Sequence, residues 1–182
     1  MRTLHMKSVK RSYVIYFNGF SLKGEENLCA EYLAQSDLSV AGFSYGAQQA
    51  FEYVYNSQER IDRLILLSPA IFQTQKTSFV RTQMRYFQNG QESYVAQFLQ
   101  NVSHPSSFDL TEYLKTGTAE ELEALLTYKW DTVKIQEVLD RGTVIEVFLG
   151  AEDKIIDADS AFSFFSELAT TYFVKGVGHL LK

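Results

Sequence analysis

A mainly parallel, doubly wound α/β sheet carrying a helical insertion is the fold class the sequence predicts, as a single domain over residues 1–182. Three observations predict it. Short runs that are apolar on both faces recur along the chain, as strands of a parallel sheet covered on each side require. These runs alternate with segments of helical periodicity, which implies parallel crossovers. The stretch from about residue 74 to residue 141 is helical throughout and too long for a plain crossover, so it is expected to fold over one edge of the sheet as a lid.

In chain order, Tyr13–Phe17 is the first strand, running into Asn18-Gly19-Phe20-Ser21. Glu25 to Leu33 reads as a short helix with Leu28, Tyr32 and Leu33 inward. Leu38-Ser39-Val40-Ala41-Gly42-Phe43 is the next strand, and Ala47, Ala50, Phe51 and Val54 then recur at helical spacing until Asn56-Ser57. Leu64–Leu67 is a third strand, ended by Ser68-Pro69. Within the insertion the periodic sets are Val80, Met84 and Phe87; Tyr94, Val95, Phe98, Leu99 and Val102; Leu122, Leu125 and Leu126; and Ile135, Val138 and Leu139. Thr118 with Glu121 makes a capping box for the third set. After Gly142 the chain returns to a strand, Val144–Leu149, then to a helix capped by Asp157 that carries Ala161, Phe164, Phe165 and Leu168. Thr171–Val174 is the last strand.

A chain of 182 residues can bury a real core, and 46% hydrophobic with 14% aromatic residues excludes disorder. The formal charge of −5 argues against a general nucleic-acid binder. Cys29 is the single cysteine and cannot form an internal disulfide, which fits a reduced compartment. No CxxC or His-rich cluster offers a metal site, and no cofactor is expected. Arg2, Lys7, Lys10 and Arg11 before Tyr13–Phe17 look superficially like a signal peptide, but the apolar run is too short and no cleavage site follows. Nothing approaches membrane-spanning length, so a soluble cytoplasmic protein is expected.

The chemistry centres on Gly42-Phe43-Ser44-Tyr45-Gly46, a Gly-x-Ser-x-Gly pattern between a strand and a helix. In such a nucleophile elbow the serine sits on a sharp, strained turn, and the flanking glycines make room for it. The pattern alone arises by chance in about a few per cent of chains this long, and a small-residue turn with a solvated serine is the bland alternative. A serine hydroxyl needs a base, usually histidine, and an acid to orient that base. Asp153 and His179 follow Ser44 in the chain, each just past a predicted strand. Asp157 is the rival acid, and His5 and His104 are the rival bases. The amides of Phe20 and Tyr45 are the natural oxyanion donors, although Phe20 could equally be core, with its side chain walling an acyl pocket.

These pieces, Gly42–Gly46, the Asn18-Gly19-Phe20 turn, Gly150-Ala151-Glu152-Asp153-Lys154-Ile155 and Gly176-Val177-Gly178-His179, together resemble the α/β-hydrolase superfamily over essentially the whole chain. More narrowly, the chain is similar to the compact pimeloyl-acyl-carrier-protein methyl ester esterases of biotin synthesis. The resemblance implies a reduced α/β-hydrolase fold with Ser44 as nucleophile, His179 as base, Asp153 as its partner and oxyanion amides at Phe20 and Tyr45. It implies an acyl carrier protein as the partner that delivers the substrate. The sequence departs from the pattern in three places. Asn18-Gly19 stands where many relatives have His-Gly, and only 26 positions separate Asn18 from Ser44, so a strand and a helix are missing between them. His179 is followed by three residues rather than by the usual final helix.

One further feature bears on the partner. From Arg63 to Gln91 there is no acidic residue, while Arg63, Lys76, Arg81 and Arg85 are basic. Arg81 and Arg85 share a helix face. A basic patch there would speed the arrival of an acidic carrier protein, and a solvated face whose arginine stems cover apolar surface is the alternative.

Overall fold

A computed structural model describes residues 14–33, 36 and 38–182. Tyr13, His5 and the basic residues Arg2, Lys7, Lys10 and Arg11 lie outside the described residues. Five strands form one parallel sheet: β1 (Ile15–Phe17), β2 (Ser39–Phe43), β3 (Arg63–Leu67), β4 (Val144–Gly150) and β5 (Thr170–Val174). Each expected strand is present with its ends shifted by a residue or two.

The order across the sheet is β1-β2-β3-β4-β5, with no reversal of strand order. The cause is the short connection between Asn18 and Ser39. Among the described residues no strand is inserted beside β1 to reverse the order, and β1 pairs directly with β2. Both faces are nevertheless covered. Val40, Leu64, Leu66, Ile145, Val147 and Leu149 point to one face, where they meet α1 (Tyr45–Asn56), α5 (Thr132–Asp140) and α6 (Ala158–Ser166). Ala41, Phe43, Ile65 and Leu67 point to the other, where they meet Cys29, Leu180, Leu181 and the partly buried Leu28, Tyr32 and Leu33. Because the strand order always advances in one direction, the β1–β2 crossover lies on the face opposite to the later ones and has the opposite hand.

The segment expected as a helix from Glu25 to Leu33 is one 3₁₀ turn, Glu25–Cys29, followed by further turns. Gly24 opens it at φ 78, a conformation that a side chain resists.

The insertion folds as expected over the carboxyl edge of the sheet. It comprises α2 (Thr77–Asn89), α3 (Gln91–Ser103), a short 3₁₀ turn at Thr111–Tyr113, and α4 (Ala119–Thr127), before α5 completes the crossover to β4. Thr118 and Glu121 make the expected reciprocal capping box on α4. Leu122, Leu125 and Leu126 are buried, as the periodicity requires. The helix α2 is the least anchored part, with Phe87 its one buried residue. No helix among the described residues is long and apolar enough to cross a membrane.

Candidate active site

β2 ends at Phe43 and α1 begins at Tyr45, so the whole reversal falls on Ser44, which adopts φ 56 and ψ −112. A non-glycine residue in that region is strained by about 1–3 kcal/mol and persists only where its surroundings hold it. They do: the Ser44 N–H donates to the Leu67 carbonyl at 2.9 Å, and the Ser44 carbonyl accepts from Ala47 and Ala70. The two glycines of the motif are required by backbone crowding. A Cβ at Gly42 would meet the Gly46 carbonyl, and one at Gly46 would meet the Phe17 carbonyl. The tight fit of Gly46 against Phe17 and Asn18 also brings the start of α1 beside the Asn18–Ser21 turn.

The structure brings the three candidate side chains together. Ser44 Oγ is 2.8 Å from His179 Nε2, and His179 Nδ1 is 2.6 Å from Asp153 Oδ2. The other carboxylate oxygen of Asp153 accepts the amides of Ile155 at 2.7 Å and Ile156 at 3.1 Å. A carboxylate accepts only, so the imidazole carries its proton on Nδ1 and leaves Nε2 free to accept from the serine hydroxyl. Such a run can take a proton from Ser44 as its oxygen attacks a carbon centre. The rivals are placed elsewhere. Asp157 is exposed and caps α6 by accepting from Ser160, while His104 follows the end of α3 and is not bonded to Ser44.

His179 is 0% exposed and held from four sides. Its ring lies on Phe43 with centroids 5.2 Å apart, and its carbonyl accepts the Ser68 hydroxyl at 2.6 Å. The next residue, Leu180, donates to the Val102 carbonyl in α3. Gly178 fits against the His104 carbonyl so closely that a Cβ would overlap it. The lid therefore supplies part of the seat of His179. Ser68 and Gly178 as supports of His179 were not foreseen, although Ser68-Pro69 and Gly178-His179 stood out in the sequence.

Of the two candidate oxyanion donors, Tyr45 is the first residue of α1, where amides have no partner within the helix. The Phe20 amide donates to no other described residue. The Phe20 side chain is also core, packed against Phe87 and edge-on against Phe98 with centroids 5.4 Å apart. The turn is sewn to the lid: Lys115 donates to the Ser21 carbonyl, Gly117 to the Ser21 hydroxyl, and Lys23 to the Tyr113 carbonyl.

Ser44 is 1% exposed. A cavity of about 570 Å³ lies between α2, α3, α4 and the loop after β4. Phe72, Phe98, Leu122, Leu125 and Ile155 form its apolar wall, while Gln83, Asn101 and Lys154 add polar groups. Ser44 is not on this wall, but Phe98 packs on Phe20, and Leu125 and Ala70 share Gln48 as a hydrogen-bond donor. A smaller cleft of about 240 Å³ runs past Gly19, Phe20 and Tyr45. Burial pushes the Tyr94 hydroxyl on the large cavity up to about 12, so it stays a hydrogen-bond donor, here to Gln83. Among the described residues no group of three histidines, cysteines or acids converges as a metal site would need.

Lys76, Arg81 and Arg85 are all exposed on α2, and none forms an ion pair with another described residue. Lys76 caps the amino end of α2, where the helix dipole disfavours a cation.

No family model matches the sequence, and no curated protein matches it. Solved structures do match. The chain superposes on the carboxylesterase CesB of Bacillus subtilis with a TM-score of 0.64 at 15% identity, covering 95% of this chain and 79% of that one. The fold is that of the α/β hydrolases. MenH from S. aureus matches with a TM-score of 0.64 at 14% identity, over 94% of this chain and 88% of the other. BioG from Haemophilus influenzae matches with a TM-score of 0.57 at 9% identity, over 92% and 88%. Among the described residues this fold is a reduced one, with five strands, and identities this low carry the fold and not the substrate.

Proposed function

We propose that this protein is a serine esterase. The observation that carries the reading is the unbroken run of hydrogen bonds from Ser44 through His179 to Asp153 at an elbow of φ 56. Ser44 Oγ attacks the ester carbonyl and His179 Nε2 takes its proton, while the amides of Phe20 and Tyr45 hold the developing oxyanion. The tetrahedral intermediate collapses, Nε2 gives the proton to the departing alkoxide, and an acyl-enzyme remains. Water then attacks, Nε2 takes its proton, and the acid leaves as the proton returns to Ser44.

For the substrate we propose the methyl ester of pimeloyl-acyl-carrier protein, with methanol as the leaving group. The sequence resemblance supports this. So do the aromatic cavity beside the site and the unpaired cations Lys76, Arg81 and Arg85, which would attract an acidic carrier. The reduced cytoplasm suits a chain whose one thiol is buried. A second reading keeps the chemistry and replaces the carrier-borne substrate with small soluble acyl esters or thioesters; the likeness to CesB, a carboxylesterase, favours it.

Release of free pimeloyl-acyl-carrier protein from its methyl ester tests both, followed on a conformation-sensitive gel with wild type, Ser44→Ala and Arg81→Glu/Arg85→Glu. The first reading expects conversion by wild type, none by Ser44→Ala, and slower conversion at low carrier concentration by the double variant. An unimpaired double variant supports the second reading. Turnover by Ser44→Ala at the wild-type rate refutes both, and wild type inert toward every ester leaves a hydrolase-like binding module.

A further inference from the structure

We infer that Glu25 is a positioning residue, which holds the Asn18–Ser21 turn so that the Phe20 amide faces the carbonyl oxygen of the reacting ester. This rests on the esterase reading. Glu25 is 0% exposed, on a single 3₁₀ turn whose other acid, Glu26, reaches the surface. Glutamate is almost never buried unless paired, and among the described residues no lysine, arginine or histidine lies within ion-pair reach of it. What it has instead is the Gly19 amide, which donates to Oε1 at 2.7 Å, with the Tyr16 hydroxyl more distant at 3.5 Å. Its Oε2 has no partner.

The consequence follows from the planarity of the peptide unit, in which N–H and C=O point in opposite directions. The Gly19 carbonyl is turned inward, accepting from Leu22 at 3.1 Å. The Phe20 N–H belongs to the same plane, so it points outward and is left without a partner. Gly19 is thus pinned at both ends, by Glu25 at its amide and by Leu22 at its carbonyl. Asn18 is fixed as well, its side-chain oxygen occupied by the Gly24 amide at 2.8 Å. The Gly19 amide belongs to the preceding plane, Asn18–Gly19; releasing it leaves the Gly19–Phe20 plane held by Leu22 alone, and because glycine is free in both φ and ψ that plane can then turn and swing the Phe20 N–H with it. Burial pushes the Glu25 carboxyl up and the hydrogen bond from the Gly19 amide opposes that rise, so the one close donor to Oε1 is the amide it holds.

The test compares Glu25→Gln, Glu25→Asp and Glu25→Ala with wild type, by turnover of para-nitrophenyl butyrate and by the amide proton resonance of Gly19. Glutamine keeps an acceptor at the same reach, so its kcat is expected within about threefold of wild type and the Gly19 resonance stays downfield. Alanine removes the acceptor and aspartate falls a methylene short; each is expected to lower kcat about tenfold to a hundredfold with KM nearly unchanged, and to move Gly19 upfield. If the alanine protein does not fold, the glutamine and aspartate pair decides. Aspartate as active as wild type, or glutamine as impaired as aspartate, overturns the inference. A wild type inert toward esters removes the esterase reading and the catalytic half of the inference with it, whereas a Gly19 resonance indifferent to all three changes removes the positioning half alone.

Discussion

Changing Asp153 to Asn tests the proton inventory of the site, because the structure dictates how the new side chain must sit. Asp153 uses one oxygen for two amide donors, Ile155 and Ile156, and the other for His179 Nδ1. Asparagine has one oxygen. Placing its NH₂ against the two amides would face donors with a donor and leave buried groups unpaired, at about 1–3 kcal/mol each. Its oxygen therefore stays on the amides and its NH₂ faces Nδ1. Nδ1 must then accept, so the imidazole proton moves to Nε2, and Ser44 Oγ faces a donor instead of a base. The expected loss is about 10⁴-fold in kcat, or about 5.5 kcal/mol at 1.36 kcal/mol per decade. Because both amides keep their acceptor, the melting temperature should shift by no more than a few degrees. Turnover of para-nitrophenyl butyrate and a thermal melt measure the two quantities. A folded Asp153→Asn protein within about tenfold of wild type would refute the tautomer argument.

Two further predictions concern the seat of the histidine and the buried thiol. Gly178→Ala puts a Cβ into the His104 carbonyl and should displace His179, lowering both kcat and stability; Gly176→Ala has open space but φ 75, so it should cost about 1–2 kcal/mol of stability while turnover persists, and equal activity in the two variants would contradict this. Desolvation pushes the Cys29 thiol up from 9.0 to about 12, so near pH 8 its thiolate fraction is about a thousandfold below that of the unfolded chain, and alkylation in buffer should lag alkylation in urea accordingly. Equal rates would show that the thiol is not sealed.

The strands and the insertion could be read in the sequence because their apolar patterns are local. Ser44 could be read because a strained turn requires Gly42 and Gly46 on either side of it, and Asp153 and His179 because each follows a strand by a few residues. The strand order was not legible in the same way. It depends on which strands are absent, and the missing reversal follows from a shortened connection rather than from any residue's character. Glu25 escaped notice because an acid in a short polar stretch normally reads as surface; its burial arises only when the 3₁₀ turn lies against the sheet under Tyr16 and Gly19. The seat of His179 was hidden for a similar reason, since Val102 and His104 lie some 75 positions away in the lid and contribute their carbonyls, which carry no sequence signature.

The stitching between lid and site limits the traffic of substrate and product. The histidine loop hangs from the end of α3, and the Asn18–Ser21 turn from the stretch of chain before α4. A lid that swung away as one piece would disassemble the machinery it was meant to uncover. Only α2 stands outside these bonds, and detaching it exposes Phe87 and uncovers the partly buried Phe79, Val80 and Met84, so it costs more than the about 1.5–3 kcal/mol of one buried side chain. The open form would then be a minor state, in fewer than roughly one molecule in ten. The door of this site is then a single helix, and the same helix carries the exposed Arg81 and Arg85, with Lys76 at its amino end.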